Sequence, residues 1–171
     1  MAGGSVELAP LLEKIIADYA PTAEAKGVRF ILRIPAGLSA WGNLRGLRRA
    51  LHEVVNNAVR YSDGGTVTLS AKLQDGLAVI SITDQGHGIP DDERNRLFVS
   101  FYRGSSTRSL SGSPGAGLGL SIARRDIESL GGRIWLERSG PDGTTMCVAL
   151  PVVQIADNGL EMGEQARAVG A

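Results

Sequence analysis

Cysteine is all but missing from this chain: Cys147 is the single one in 171 residues. No disulfide framework can therefore hold the fold. Cys147 stands in an apolar run with Met146, Val148 and Leu150 and reads as a buried strand residue. Net charge is missing as well. Lys plus Arg number 18 and Asp plus Glu number 18, so the charge balance gives no argument for nucleic acid or a membrane surface as partner. No stretch approaches the roughly 20 apolar residues of a membrane-spanning helix, and no signal peptide is visible. These absences point to a soluble, cytoplasmic chain, with any membrane segment lying elsewhere in a longer parent protein. Histidine occurs only twice, as His52 and His87. No internal repeat is visible.

What is present is enough for a core. With 43% hydrophobic residues, the length suits one compact domain. Residues 5–152 read as that domain, residues 1–4 as an added or linker sequence, and residues 153–171 as a tail or linker without a convincing pattern. Leu11, Leu12, Ile15, Ile16, Tyr19 and Ala23 make a helical stripe over 10–26. Val28, Phe30, Leu32 and Ile34 alternate with Arg29, Ile31 and Arg33, a strand that Pro35 ends. Helical period returns over 44–61 through Leu47, Leu51, Val54, Val55 and Ala58, with Asn43 as N-cap. Residues 66–72 and 77–83 read as strands joined by a turn at Gln74-Asp75-Gly76. Pro90-Asp91-Asp92-Glu93 opens a short helix toward Leu97 and Phe98. A helix over 117–130 stops at Gly131-Gly132. Strands at 134–137 and 145–150 flank Pro141-Asp142-Gly143. The fold class predicted is α+β: a two-layer sandwich with a mixed, mostly antiparallel sheet and three main helices on one face.

Two glycine-rich segments carry the functional signal. Asp84-Gln85-Gly86-His87-Gly88-Ile89 offers an acceptor-only carboxylate beside a glycine turn. Gly115-Ala116-Gly117-Leu118-Gly119-Leu120 runs into a helix and offers open N–H groups and the positive end of its dipole to a phosphate. Together they suggest a nucleotide held between a base-reading acid and a phosphate-binding helix. Glu53 and Asn57 stand four apart, on one helix face. Oxygen-bearing side chains there suit Mg²⁺, which takes few protein ligands and keeps phosphates and water.

The helix segment His52-Glu53-Val54-Val55-Asn56-Asn57-Ala58-Val59-Arg60-Tyr61, the Asp84 segment, Phe98-Val99-Ser100-Phe101-Tyr102-Arg103 and the Gly115 segment occur in that order. They resemble the N, G1, F and G2 boxes of the catalytic and ATP-binding domain of sensor histidine kinases, within the ATPase superfamily shared with gyrase and MutL. Gly143-Thr144 resembles the superfamily's late Gly-Thr pair. The resemblance covers residues 5–152 and implies the Bergerat-type fold, with ATP and Mg²⁺ as cofactors. It implies that Asn57 binds Mg²⁺, that Arg60 reaches the phosphates and that Asp84 accepts a hydrogen bond from the adenine amino group. Gly86, Gly88 and Ile89 would then follow the base, with Thr144 supporting the same end and Tyr61 against the adenine or in the core. Gly115, Gly117, Leu118, Gly119 and Leu120 would hold phosphates under a mobile lid at 104–116. Phe98 and Phe101 would anchor that lid, and Arg103 would approach the phosphates or a partner domain. His87 sits where the family tolerates many residues and is read as incidental.

The chain departs from the family pattern in two ways. Glu53 stands where Asn is commoner. Two readings are open: an active-site carboxylate, as metal ligand or base, or a surface residue paired with Arg49 four positions earlier. The second departure is the absence of a phosphoaccepting histidine on a dimerising hairpin. The implied partners are that histidine-bearing domain and a response regulator, with no nucleic acid and no direct membrane contact. Alternatives are a serine protein kinase of the anti-sigma-factor type and a nucleotide-binding pseudokinase or scaffold.

Overall fold

The computed structural model of the chain describes residues 3–102 and 117–152, and the backbone of 153–156 and 159–162. The expected lid at 104–116, with Arg103 and Gly115, lies outside the described residues. In chain order the first elements are β1 (Gly4–Glu7), α1 (Leu8–Ala25), β2 (Val28–Arg33), β3 (Ser39–Gly42) and α2 (Leu44–Tyr61). A hairpin follows, β4 (Gly65–Gln74) and β5 (Leu77–Thr83), then a single turn, α3 (Asp91–Arg94). After α4 (Gly119–Ser129) come β6 (Arg133–Gly140), β7 (Gly143–Pro151), β8 (Val153–Ala156) and β9 (Gly159–Met162).

One five-stranded sheet organises the molecule, in the order β2-β4-β5-β7-β6. Only β2 and β4 pair in parallel; the other neighbours are antiparallel. Alternation decides which face is buried. Leu69 faces Ile82, which faces Met146, and Ala71 faces Ile80, which faces Val148. These apolar rows are buried together with Leu12 and Ile15 of α1, Leu47, Leu51, Val54 and Val55 of α2, and Ala123 and Ile127 of α4. The opposite face carries hydroxyl pairs, with Thr83 Oγ1 3.0 Å from Thr145 Oγ1 and Ser81 Oγ 3.3 Å from Cys147 Sγ. The result is the two-layer α+β sandwich that the patterning predicts. Cys147 is buried, as its apolar neighbours suggested.

Local chemistry sets both ends of α2. The Asn43 side chain accepts from the N–H groups of Arg45 at 2.9 Å and Gly46 at 3.2 Å, a side-chain N-cap. At the far end, Lys26 Nζ donates to the carbonyls of Val59 at 2.8 Å and Arg60 at 2.5 Å. A cation thus sits on the negative end of the helix dipole and satisfies carbonyls that have no partner within the helix. The β4–β5 turn puts Asp75 at φ 51° and Gly76 at φ 74°. Two central residues at positive φ match the right-handed twist of a hairpin.

Four features differ from the sequence expectation. β1 and β3 form a small antiparallel pair, with Gly4 opposite Gly42, that was not expected. Four-residue strands containing glycine are too short to show alternation. β8 and β9 pair with Ala156 opposite Gly159, where no regular element was expected. The helix opened by Pro90 ends at Arg94 instead of reaching Leu97. Helix α4 begins at Gly119, because Gly117 takes a φ of +70° outside the helical region.

Asn43→Ala should lower stability by about 1 kcal/mol, the usual worth of an N-cap. Urea unfolding at unchanged m-value measures this. A midpoint equal to wild type would mean that water serves those N–H groups equally well.

Candidate functional site

The site is built where the sheet ends against α2 and α4. Asp84 follows β5 and is 7% exposed. Its Oδ1 accepts from Gly86 N–H at 2.8 Å and Thr144 N–H at 3.1 Å, while its own N–H donates to the Thr144 carbonyl at 2.9 Å. Both side-chain bonds use the same oxygen, so Oδ2 is the one available to a ligand. Such close approach of the strand ends needs Gly143: its φ is +121°, and a Cβ there would collide with the Asp84 carbonyl. Burial pushes the Asp84 carboxyl above its ordinary value of 3.8, against the two N–H bonds and nearby His87, which pull it back.

A network extends from this point. Thr144 Oγ1 is 3.0 Å from Ser139 Oγ, and Ser139 Oγ accepts from Ile89 N–H at 2.7 Å. Arg94 Nη2 donates to the Ser139 carbonyl at 2.8 Å. The Asp84–Ile89 turn is thereby tied to β6, β7 and α3.

Helix α2 supplies the facing wall. Glu53, Asn57, Arg60 and Tyr61 line a cavity of about 400 Å³, with Asp84 across from them. That volume falls within the range of small-molecule sites. Arg60 Nε and Nη2 are buried without a hydrogen-bond partner among the described residues. Two guanidinium donors removed from water without a partner are costly, and an anion would satisfy them. The Tyr61 ring stands edge-on to the His87 ring, with centroids 6.0 Å apart.

The third wall is the start of α4. Leu118 caps it without a side-chain hydrogen bond, so among the described residues no side chain caps the first N–H groups at the positive dipole end. A Cβ at Gly119 would meet the Glu53 carboxylate, so glycine there leaves that side chain undisturbed. The arrangement fits a nucleotide: a fixed acceptor for a base, an open guanidinium and an uncapped helix start for phosphates. Among the described residues no group of three His, Cys, Asp or Glu side chains could hold a metal alone. Mg²⁺ carried by phosphates needs only one or two protein ligands, and Asn57 and Glu53 fit that role.

Of the residues singled out in the sequence, Glu53, Asn57, Arg60, Tyr61, Asp84, Gly88, Ile89, Gly117, Leu118, Gly119, Leu120 and Thr144 come together in this one cavity. Gly86 does not line it; its N–H binds Asp84, and its backbone packs so closely on the Tyr61 carbonyl that no Cβ would fit. His87, read as incidental, does line it. Phe98 packs against the core and Phe101 is 74% exposed at a φ of +65°; the lid that both were expected to anchor lies outside the described residues. Arg49 does not pair with Glu53; it pairs with Asp126 of α4. His52 points toward α1, with Nδ1 2.7 Å from the Tyr19 hydroxyl. Sequence reasoning missed Ser139 and Glu93. Ser139 carries no motif. Glu93 is 8% exposed and lines the cavity, but in sequence it reads as the third acid of a helix start.

The family model described as histidine kinase-, DNA gyrase B- and HSP90-like ATPase matches residues 42–154. The chain belongs to this ATPase family. Family membership implies ATP binding. The chain is 30% identical over 148 residues to the signal transduction histidine-protein kinase BaeS of Escherichia coli strain K12, covering 86% of this chain and 32% of BaeS. It is 33% identical over 155 residues to the sensor histidine kinase Hik2 of Thermosynechococcus vestitus, covering 88% of this chain and 40% of Hik2. The chain thus spans about a third of the length of the curated relatives it matches. The solved structure of the mycobacterial sensor histidine kinase MprB superposes with a TM-score of 0.72 at 29% identity, over 86% of this chain and 97% of that one. Among the described residues no helix is long and apolar enough to cross a membrane.

The raised pKa of Asp84 has a consequence for the ligand-free ATPase domain. Its ionised form is disfavoured by folding, so the native state binds more protons than the unfolded chain just above pH 3.8. Stability from this group therefore falls as pH rises through that window and stays reduced at neutral pH. Asp84→Asn keeps an oxygen for the two N–H groups and carries no charge to bury. Its thermal midpoint without ligand should exceed wild type at pH 7, with the gap closing as pH falls toward 3.8. A lower midpoint at pH 7 would contradict this.

Proposed function

We propose that residues 5–152 are the cytoplasmic catalytic and ATP-binding domain of a sensor histidine kinase. It transfers the γ-phosphoryl group of ATP to a histidine on a separate dimerisation domain, for passage to a response regulator. The observation that carries this reading is Arg60, whose buried Nε and Nη2 have no partner among the described residues, in one cavity with the pinned carboxylate of Asp84. The kinship with proteins named as sensor histidine kinases supports it.

In this reading Asp84 Oδ2 accepts the adenine amino proton, and guanine would set its carbonyl oxygen against the same carboxylate. Arg60 and the first N–H groups of α4 hold the phosphates and the charge that spreads onto them during transfer. Asn57, with Glu53 nearby, would hold a Mg²⁺ ion, which would supply charge neutralisation at the phosphates. Glu53 orients or deprotonates the incoming nucleophile. Catalysis is mainly positioning and charge neutralisation. Glutamate at position 53, where Asn is commoner in the histidine kinases, favours a second reading, a serine protein kinase of the anti-sigma-factor type. Supplying a histidine-bearing hairpin as acceptor separates the two.

Asp84→Asn should weaken ADP binding by about 1.5–3 kcal/mol, the scale of a hydrogen bond to a charged group. Calorimetric titration checks it, and unchanged affinity would remove Asp84 from the base. Glu53→Gln should leave ADP affinity nearly intact. It should slow transfer to a supplied histidine domain by roughly ten- to ten-thousand-fold, the range for a positioned acid–base group. Equal rates at saturating ATP would exclude Glu53 from the chemistry.

A further inference from the structure

The ion pair between Arg49 and Asp126 lies outside the cavity, yet it joins the two helices whose ends form it. Arg49 Nε donates to Asp126 Oδ2 at 2.6 Å, and Nη2 donates to Oδ1 at 2.5 Å. This is a bidentate fork, which fixes orientation as well as distance. The Asp126 side chain is 10% exposed and that of Arg49 is 58% exposed. The arginine therefore satisfies a carboxylate that is nearly out of water, while losing little of its own hydration.

The placement of the fork is specific. Arg49, Glu53 and Asn57 follow one another at four-residue steps along one stripe of α2. On α4, Asp126 lies seven residues beyond Gly119, two turns on and on the same side, about 10 Å along the axis. The helices touch again where Gly119 approaches the Glu53 carboxylate. Arg49 precedes Glu53 while Asp126 follows Gly119, so the two helices run antiparallel. Between the two contacts, the same α4 stripe carries Ala123, which is fully buried. Gly119 and Ala123 let the helices approach closely but offer no bulky side chain to lock their register.

We propose that Arg49 and Asp126 are positioning residues for the phosphate end of the site. The fork sets the height and tilt of α4 on α2, and with them the distance from the Gly119 and Leu120 N–H groups to Asn57 and Arg60. The inference rests on the phosphate role assigned above to the start of α4. The base end has a different support: Asp84 and Thr144 are held by β5, β7 and Ser139. Loosening the fork should therefore penalise ligands that carry phosphates and spare those that do not.

The test is calorimetric titration of the full chain with ADP and with adenosine, for wild type, Arg49→Gln, Asp126→Asn and the double variant. Each single change should weaken ADP about 5- to 30-fold, within the range of coupling between residues that share contacts, and shift adenosine by no more than about twofold. The double variant should lose no more ADP affinity than either single one, because both remove the same fork. Arg49→Lys keeps the charge without the fork and should fall between wild type and Arg49→Gln. Equal losses for ADP and adenosine would overturn the proposal. So would unchanged ADP affinity beside a lowered melting temperature, since the pair would then only stabilise. If Asp126→Asn does not fold, Arg49→Gln, altered at the more exposed side chain, decides alone. Wild type binding neither ligand would refute the nucleotide reading itself, a different failure from tight ADP binding that ignores the fork.

Discussion

Helix α2 is the member on which the molecule depends, because one helical period has to serve two opposed demands. Leu47, Leu51, Val54, Val55 and Ala58 bury a continuous stripe against the sheet and α1. Glu53, Asn57 and Arg60 occupy the remaining face and wall the cavity. The apolar stripe sets the rotation of the helix about its axis, and that rotation aims the polar side chains. Asn43 and Lys26 hold its two ends. A change of register in the core would turn every functional group on this helix away from its target.

The site also separates charge within a chain that carries none overall. A buried carboxylate stands at one end of the cavity, and an arginine with two buried nitrogens, unpartnered among the described residues, lines its wall. Both are costly in a ligand-free protein. A nucleotide would satisfy both, since it presents a donor at the base and anions at the phosphates. Binding is therefore prepared by polar groups that folding has removed from water and left partly unmatched. Glycine makes this geometry possible where backbone crowds on backbone, at Gly143 beside Asp84, and where backbone crowds on a side chain, at Gly119 beside Glu53.

Much of the fold was legible because α2, β4 and β5 announce their periods over long windows. Short elements were not. β1, β3, β8 and β9 are each four residues long and exist because a neighbouring strand completes their hydrogen bonds, which no local pattern reveals. The residues that share the cavity were legible for a different reason: their order and spacing repeat a family pattern. Ser139, Glu93 and His87 belong to the same site and lacked such a signal. Arg49 illustrates the limit well. Its spacing from Glu53 suits a local pair, yet its guanidinium reaches Asp126 on another helix.

The sequence by itself determined the class of fold, the two long helices, the central hairpin and the identity of the groups that a nucleotide would need. These follow from side-chain period, from turn residues and from motif order, all of which act over short stretches of chain. Only the tertiary structure decided that Asp84 uses one oxygen for the protein and has the other available to a ligand. It also decided that two Arg60 nitrogens are buried without a partner among the described residues, that Phe101 faces outward and that Arg49 ties α2 to α4. Each of these depends on which backbone atoms and side chains from distant segments arrive at the same point. Burial and partnership are properties of that meeting, and no single segment carries them.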